Sequence, residues 1–156
     1  MKRKINFKVL VICLLFVYGI AFIGSIFTSG NTNSMWYLEN KPVITPPNYV
    51  FPIVWNILFF LIALSLYFAW VNSNKKQKKK VALVFGINLF LNVLWSFLFF
   101  GLQKPLWAFF DLLLLLATII LMIFVTGKID KKASYLLIPY FVWVCFAGVL
   151  NWLWLG

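Results

Sequence analysis

The chain has 156 residues, 64% of them hydrophobic and only 11% charged, and its formal net charge is +11. Soluble domains are typically about 45–50% apolar, so this composition excludes an ordinary soluble domain. The charges fall between apolar segments that we place at residues 9–27, 50–71, 81–102, 106–126 and 133–154. Each has about the 20 residues that a helix needs to cross a bilayer, where helices satisfy their own backbone groups. The sequence therefore predicts an all-α membrane protein, a single domain (residues 1–156) built as a five-transmembrane-helix bundle.

The first segment, 9–27, follows a basic start as a signal peptide would, but its apolar core is longer than usual for a signal. We interpret it as a retained helix. Cys13 in this segment and Cys145 in the fifth behave as small hydrophobic residues. The chain has no histidine, so two cysteines make a poor metal site, and the usual haem ligand is absent. The sequence thus predicts no metal and no cofactor.

The basic residues favour one side of the predicted helices. Lys41 and Lys104 lie on one side, and the other twelve lie before segment one, between two and three, or between four and five. The positive-inside rule then places the N-terminus and the loop at residues 75–80 in the cytoplasm and the C-terminus outside. A lysine cluster that binds nucleic acid or a partner is the alternative. Connections rich in basic residues alternate along the chain with connections that have few, as the positive-inside rule expects, which favours a role in membrane orientation. No nucleic-acid partner is therefore predicted.

The longest connection, residues 28–49, is rich in Ser, Asn, Gly and Pro, which predicts a long outer loop. It also carries Trp36 and Tyr37. Two interpretations stay open for these rings. The loop folds back over the helix ends as a lid, or the rings form an aromatic belt at the lipid headgroups.

The third and fifth segments each carry a stripe of amides and aromatic rings at helical spacing. The stripes are Asn88, Asn92, Trp95 and Phe99 in the third, and Tyr140, Trp143, Ala147, Asn151 and Trp154 in the fifth. Matching stripes favour a shared interior, which would suit a planar aromatic ligand oriented by a few amides. For Asn88 and Asn92, hydrogen bonding between helices is an equal alternative. Pro139 in the fifth segment predicts a kink.

The predicted topology gathers the unusual residues near one membrane face. Trp55, Trp107 and Asp111 lie near the outer ends of segments two and four, beneath the long loop. Asp111 is the one charge within the five segments, which makes it a functional candidate. The alternative is that it caps a neighbouring helix or pairs with Lys104.

Several function classes lack their sequence signatures. The chain shows no Ser-His-Asp set, P-loop or glycine-rich dinucleotide fingerprint. It has no ring of charges for a cation channel and no chain of buried carboxylates for proton relay. It shows neither an inverted repeat nor paired broken helices, which weighs against transport.

These residues resemble the translocator proteins, also called tryptophan-rich sensory proteins or peripheral-type benzodiazepine receptors, and a bacterial member in particular. The resemblance covers nearly the whole chain. Its three stretches are Trp36-Tyr37, Lys41-Pro42, Pro46-Pro47, Phe51 and Val54-Trp55; Asn88, Asn92, Trp95-Ser96, Phe99-Phe100, Trp107 and Asp111; and Pro139-Tyr140, Trp143, Ala147 and Leu150-Asn151.

The resemblance implies a bundle, often a homodimer, that binds porphyrins, sterols and synthetic aromatic drugs in a pocket beneath the first loop. Some bacterial members promote light- and oxygen-dependent breakdown of protoporphyrin IX, an activity associated with tryptophans that match Trp55 and Trp143. These two are the candidate catalytic residues. The candidate ligand-binding residues are Tyr37, Pro47, Asn88, Asn92, Trp95, Phe99, Trp107, Ala147 and Asn151. For a dimer, Ala82 and Gly86 form a small-xxx-small pair.

The chain also departs from the family pattern. The stretch from Trp36 to Lys41 is one residue short, Ile44 replaces a frequent tryptophan, and Phe59 replaces a common tyrosine. No basic residue follows Lys132, so the cholesterol-recognition pattern of animal members is absent. The expected function is a membrane receptor for protoporphyrin IX and related ligands, with light-dependent degradation left open. The alternative is a transporter of tetrapyrroles or other small hydrophobic molecules.

Overall fold

A computed structural model describes residues 5–156, and within them the chain is helical without strands. Five helical stretches are long and apolar enough to cross a membrane, which confirms the predicted all-α membrane bundle. Lys2, Arg3 and Lys4 lie outside the described residues. The helices are α1 (Phe7–Thr28), α2 (Met35–Asn40), α3 (Val50–Asn72), α4 (Lys75–Ser96), α5 (Pro105–Gly127), α6 (Lys131–Tyr135) and α7 (Ile138–Leu153), and α4 continues into a π-helical turn, Phe97–Gly101.

The bundle is held by apolar packing around α4 and α5. Helix α4 packs against α1 and α5, while α1 also contacts α3 and α5 also contacts α7. Fully buried side chains such as Ile62, Phe85 and Met122 fill the interior between these helices. Large apolar residues such as Phe22 and Phe90 point outward and are exposed. An apolar surface of this kind suits lipid, because hydrocarbon chains solvate it as water cannot.

The lysine-rich link between the second and third segments is helical, although the sequence predicted a loop at residues 75–80. Helix α4 begins at Lys75, and Asn74 and Gln77 form a capping box there. The Gln77 backbone N–H donates to Asn74 Oδ1 at 2.9 Å, and the Asn74 N–H donates to Gln77 Oε1 at 2.9 Å. These bonds satisfy backbone donors at the helix start, so the helix extends beyond the apolar segment. We call the end of the bundle that carries Lys75 the basic end.

The predicted loop 28–49 contains the short helix α2. Ser34 caps it, since its Oγ accepts from the Tyr37 backbone N–H at 3.2 Å. A helix of six residues is marginal alone. Its rings pack on the bundle, and Tyr37 is only 4% exposed. Packing against the rest of the bundle therefore stabilises α2. The spacing of apolar residues in the sequence could not have predicted this short helix.

The fifth span is divided where the sequence predicted a kink. Helix α6 ends at Tyr135 and α7 begins at Ile138, with Pro139 in the first turn of α7. Proline lacks a backbone donor and is tolerated in a first turn, so it marks a new helix start. The interruption between α6 and α7 therefore falls just before the proline.

A buried hydroxyl ties α3 to α6 and predicts a stability difference. Ser65 Oγ donates to the Ala133 carbonyl at 2.7 Å, and both residues are fully buried. We expect Ser65→Ala to lower the free energy of unfolding by about 1 kcal/mol, because a buried hydrogen bond is lost. Thermal unfolding in detergent measures it. Ser73→Ala is the control, because Ser73 directly follows α3 and its Oγ donates to Ala69 O of that same helix at 2.6 Å, so the bond joins no second helix. Equal losses in the two variants would contradict the interpretation.

Candidate functional site

A cavity of about 520 Å³ lies at the end of the bundle opposite the basic end. The C-terminal parts of α1, α4 and α7, the N-terminal part of α3 and residues 28–48 surround it. Eight of the residues predicted from the sequence line it together: Tyr37, Trp55, Asn92, Trp95, Phe99, Trp143, Ala147 and Asn151. The fold thus brings most of the two predicted stripes, Trp55 and part of the first loop into one cavity, while Asn88 and Tyr140 of the stripes are not among the lining residues.

The walls of this cavity are aromatic rings held in place by their neighbours. Trp55 stacks on Phe59 with ring centroids 5.3 Å apart, and Trp95 stacks on Phe99 at 5.0 Å. Trp143 meets Phe51 edge to face at 5.9 Å. Such ring pairs contribute a favourable interaction free energy in addition to that of burying apolar area. They therefore hold the rings in one orientation before a ligand binds. The result is a set of flat, preformed surfaces suited to a planar apolar ligand.

Helix α2 covers one side of the cavity through an aromatic cluster. Tyr37 packs on Phe100 at 5.7 Å and on Trp154 at 5.4 Å, and Trp36 contacts Phe99 at 5.7 Å. The π-helical turn places both Phe99 and Phe100 in the interior. Burial raises the pKa of the Tyr37 phenol above its usual value. The phenol is therefore neutral at physiological pH, and it faces the cavity as an uncharged group.

The two amides for which the sequence left alternatives open have different positions. Tyr140 Oη donates to Asn88 Oδ1 at 3.0 Å, and Asn92 Nδ2 donates to Tyr140 Oη at 3.4 Å. Asn88 Nδ2 also donates to Thr118 Oγ1 at 2.9 Å, which joins α4 to α5. Asn88 is fully buried outside the cavity lining, while Asn92 belongs to the lining. The side chain of Asn88 thus links helices, and that of Asn92 both links helices and borders the cavity.

Asn151 orients one of the tryptophan walls. Trp95 Nε1 donates to Asn151 Oδ1 at 3.1 Å, and Asn151 Nδ2 donates to the Pro105 carbonyl at 2.9 Å. This chain of bonds connects α4, α7 and the start of α5. An amide bonded on both sides in an apolar setting is costly to displace. Asn151 therefore holds the Trp95 ring in the plane that the cavity presents.

Three buried polar atoms of the cavity lining have no hydrogen-bond partner within residues 5–156. They are Trp143 Nε1, Thr45 Oγ1 and Asn48 Oδ1. An unpaired buried polar group is costly, so a ligand that pairs with these atoms would gain affinity. Sequence reasoning missed Thr45 and Asn48. Their only signal was position, since they flank the Pro46-Pro47 pair in the first loop.

Two candidate ligand-binding residues, Trp107 and Pro47, lie outside the cavity lining, and a third candidate, Asp111, has no hydrogen-bond partner among the described residues. Trp107 is 62% exposed on the outer surface of α5, and Pro47 is not among the lining residues. Asp111 is 5% exposed, and neither of its carboxylate oxygens hydrogen-bonds any group in the described part of the chain. The alternative role of Asp111, as a cap of a neighbouring helix or a partner of Lys104, is therefore not seen among the described residues. The described residues also contain no cluster of three metal-binding side chains.

Comparison with known proteins shows the family of this chain. The sequence model of the TspO/MBR family matches residues 11–155. The chain is 41% identical to the "Tryptophan-rich protein TspO" of Archaeoglobus fulgidus over 147 residues, which is 94% of each chain. It is 39% identical to the protein of the same name from Chlorobaculum tepidum, over 91% of this chain and 90% of that one. It is 31% identical to the "Translocator protein" of Bos taurus, over 84% and 79% of the two chains. The chain is an integral membrane protein that belongs to the TspO/MBR family.

Proposed function

We propose that this chain is a membrane receptor that binds porphyrins, protoporphyrin IX among them, in the tryptophan-walled cavity. The observation that carries the proposal is the set of three indole rings, Trp55, Trp95 and Trp143, around about 520 Å³ of space. Ligand pockets for small molecules typically have about 300–1,000 Å³ and mostly apolar walls. A porphyrin is a flat aromatic ring, so its faces fit against indole.

The unpaired polar atoms support a porphyrin more than a plain hydrocarbon. Free-base protoporphyrin IX carries pyrrole N–H donors at its centre and propionate carboxylates, which are acceptors, at one edge. Asn48 Oδ1 is an unpaired acceptor and Trp143 Nε1 is an unpaired donor, and both line the cavity. A ligand with both functions would pair both atoms, whereas a hydrocarbon would leave them unsatisfied.

Binding is better supported than transport. The cavity lies at one end of the bundle, and fully buried side chains fill the other half, among them Ile62, Phe85 and Met122. A transporter needs access to its binding site from both membrane faces. The packed half favours a receptor that takes its ligand from one side.

We also propose an orientation in the membrane. The described lysines of the basic end include Lys8, Lys75 and Lys128, while Lys41 and Lys104 lie towards the cavity end. The positive-inside rule then places the basic end in the cytoplasm and the cavity in the outer half of a bacterial cytoplasmic membrane. A homodimer remains a proposal that the family resemblance supports.

Light-dependent degradation of the porphyrin is the second candidate activity, and Trp143 is its strongest residue. Its indole lines the cavity with an unpaired N–H. Breakdown requires net oxidation of the porphyrin: the photoexcited porphyrin gives one electron to dioxygen, and the superoxide then adds to the porphyrin radical cation to form an oxygenated ring. The Trp143 indole, with its unpaired N–H, would hold the porphyrin in place for this step. Trp55 lines the same cavity and is stacked on Phe59.

The test follows the absorbance of protoporphyrin IX with purified protein, in light and in the dark. We expect a shifted spectrum on binding, and a light-dependent loss that slows roughly tenfold in Trp143→Phe, or about 1.4 kcal/mol in the barrier. Trp152→Phe is the control, because Trp152 is on the same helix but 62% exposed. A shifted but stable spectrum would leave a receptor without photochemistry. An unshifted spectrum would contradict porphyrin binding.

A further inference from the structure

A second, smaller cleft lies at the basic end of the bundle, away from the tryptophan cavity. Its volume is about 240 Å³, and it is formed between the first turns of α4 and the last turns of α5. Its lining residues are Gln77, Lys80, Leu121, Phe124, Val125, Lys128 and Ile129. Neither the porphyrin proposal nor the family comparison gives this cleft a role.

Charge at this cleft is strongly positive. Lys80, on α4, and Lys128, which directly follows the last residue of α5, are both among its lining residues. The neighbouring acid is Asp130, whose two oxygens are occupied. Oδ2 accepts from Asn72 Nδ2 at 2.7 Å and Oδ1 accepts from the Lys132 backbone N–H at 2.8 Å. The chain's other acids, Glu39 and Asp111, are towards the opposite end. Both oxygens of the nearby Asp130 carboxylate thus bond to Asn72 and the Lys132 backbone, so the cleft presents the ammonium groups of Lys80 and Lys128 to an anion.

The surrounding lysines do not all share this position. Lys78 lies over the Trp70 ring, with its Nζ 5.5 Å from the ring centroid, which directs it towards α3. Lys76 and Lys131 are exposed and are not among the lining residues. Lys80 and Lys128 are thus distinguished by structure from lysines that carry the same charge nearby.

The other wall of the cleft is apolar and continues along the membrane span. Phe124 is 65% exposed and Leu121 is 49% exposed, and both belong to α5. A soluble anion or a nucleic-acid backbone would fill the basic part only and would leave these side chains uncovered. A phospholipid has both parts, because its phosphate is anionic and its acyl chains run along the span.

We propose that this cleft is a binding site for an anionic phospholipid. Its phosphate lies between Lys80 and Lys128, and an acyl chain covers Leu121 and Phe124. Two ammonium groups form charge-assisted hydrogen bonds with a lipid phosphate. They favour an anionic lipid over a zwitterionic one, because the cation of a zwitterionic headgroup offsets the negative charge of its phosphate. Basic clefts between helices at the cytoplasmic side are a recurring form of lipid recognition.

The test counts lipid molecules bound to the full chain by native mass spectrometry in detergent. Phosphatidylglycerol is compared with phosphatidylcholine of the same acyl chains. We expect tighter binding of phosphatidylglycerol, and we expect the double variant Lys80→Gln/Lys128→Gln to weaken that binding about tenfold. The matched control is Lys76→Gln/Lys131→Gln, which removes the same charge outside the cleft and should keep wild-type affinity. Far-UV circular dichroism checks that both variants remain helical.

Each contrary outcome overturns the proposal in a different way. Equal weakening in both double variants would mean that general surface charge attracts the lipid. Equal binding of the two lipids would mean that the cleft does not select an anion. Displacement of phosphatidylglycerol by inorganic phosphate at equal concentration would mean a phosphate site rather than a lipid site. Displacement by a short DNA duplex would point to nucleic acid instead.

Discussion

Ala147→Phe is expected to abolish most protoporphyrin IX binding. Ala147 lines the cavity on α7 between Trp143 and Asn151, where its small side chain leaves space. A phenyl ring there would occupy part of the volume that a planar ligand needs. Overpacking costs about 1–3 kcal/mol, so the dissociation constant should rise roughly 100-fold. Titration of the protein into protoporphyrin IX, followed by the shift of the porphyrin absorbance, measures the change.

The control for this prediction is Val149→Phe. Val149 is on the same helix, two residues away, but it is 50% exposed on the outer surface. The same added ring there should contact lipid or detergent and leave binding unchanged. Wild-type affinity in Ala147→Phe would show that porphyrin binds elsewhere. Lost binding in both variants would point to a general disturbance of α7.

Tyr140→Phe is expected to destabilise the bundle by about 2 kcal/mol. Tyr140 is fully buried, and its hydroxyl donates to Asn88 Oδ1 and accepts from Asn92 Nδ2. Removing the hydroxyl leaves both amide atoms without that partner in an apolar interior. A buried unsatisfied polar group costs about 1–3 kcal/mol. Thermal unfolding of the purified protein in detergent should show a lower midpoint.

Tyr18→Phe removes an equivalent hydroxyl from a less critical place. Tyr18 Oη donates to the Asn56 carbonyl at 3.0 Å, and that carbonyl lies inside α3, where the helix's own backbone hydrogen bond satisfies it after the hydroxyl is removed. We expect a change within about 0.5 kcal/mol. The variant Asn88→Ala combined with Tyr140→Phe gives a further check. If the two losses add fully, the Tyr140–Asn88 bond does not couple α7 to α4 as the distances indicate.

Much of the fold could be predicted because the bilayer imposes a simple rule on the sequence. Backbone groups in hydrocarbon must be bonded within the segment, so five apolar runs of about 20 residues become five helices. The helical spacing of Trp95, Phe99, Trp143 and Ala147 likewise predicted a shared aromatic interior. Since residues at that spacing occupy one face of a helix, these side chains line one cavity.

Helix ends and the first loop were less predictable, because short-range hydrogen bonds and distant packing decide them. The lysines after Asn74 are polar and fall outside the apolar segment, yet the Asn74–Gln77 capping box makes them helical. Ser34 could have predicted a helix start in the first loop. What keeps Tyr37 there is contact with Phe100 and Trp154, which are more than 60 residues away in the chain.

Apolar length and helical spacing are local properties of the chain, so they were enough to predict the membrane class, the five spans, the family and the three tryptophan walls of the cavity. Which polar residues face the cavity depends on how the helices pack. Asn88 and Asn92 are one helical turn apart, but the Tyr140 and Thr118 side chains of other helices surround Asn88. Trp107 faces outward while Thr45 and Asn48 line the cavity. Spacing defines the face of one helix, whereas the direction of that face depends on how the helices pack against each other.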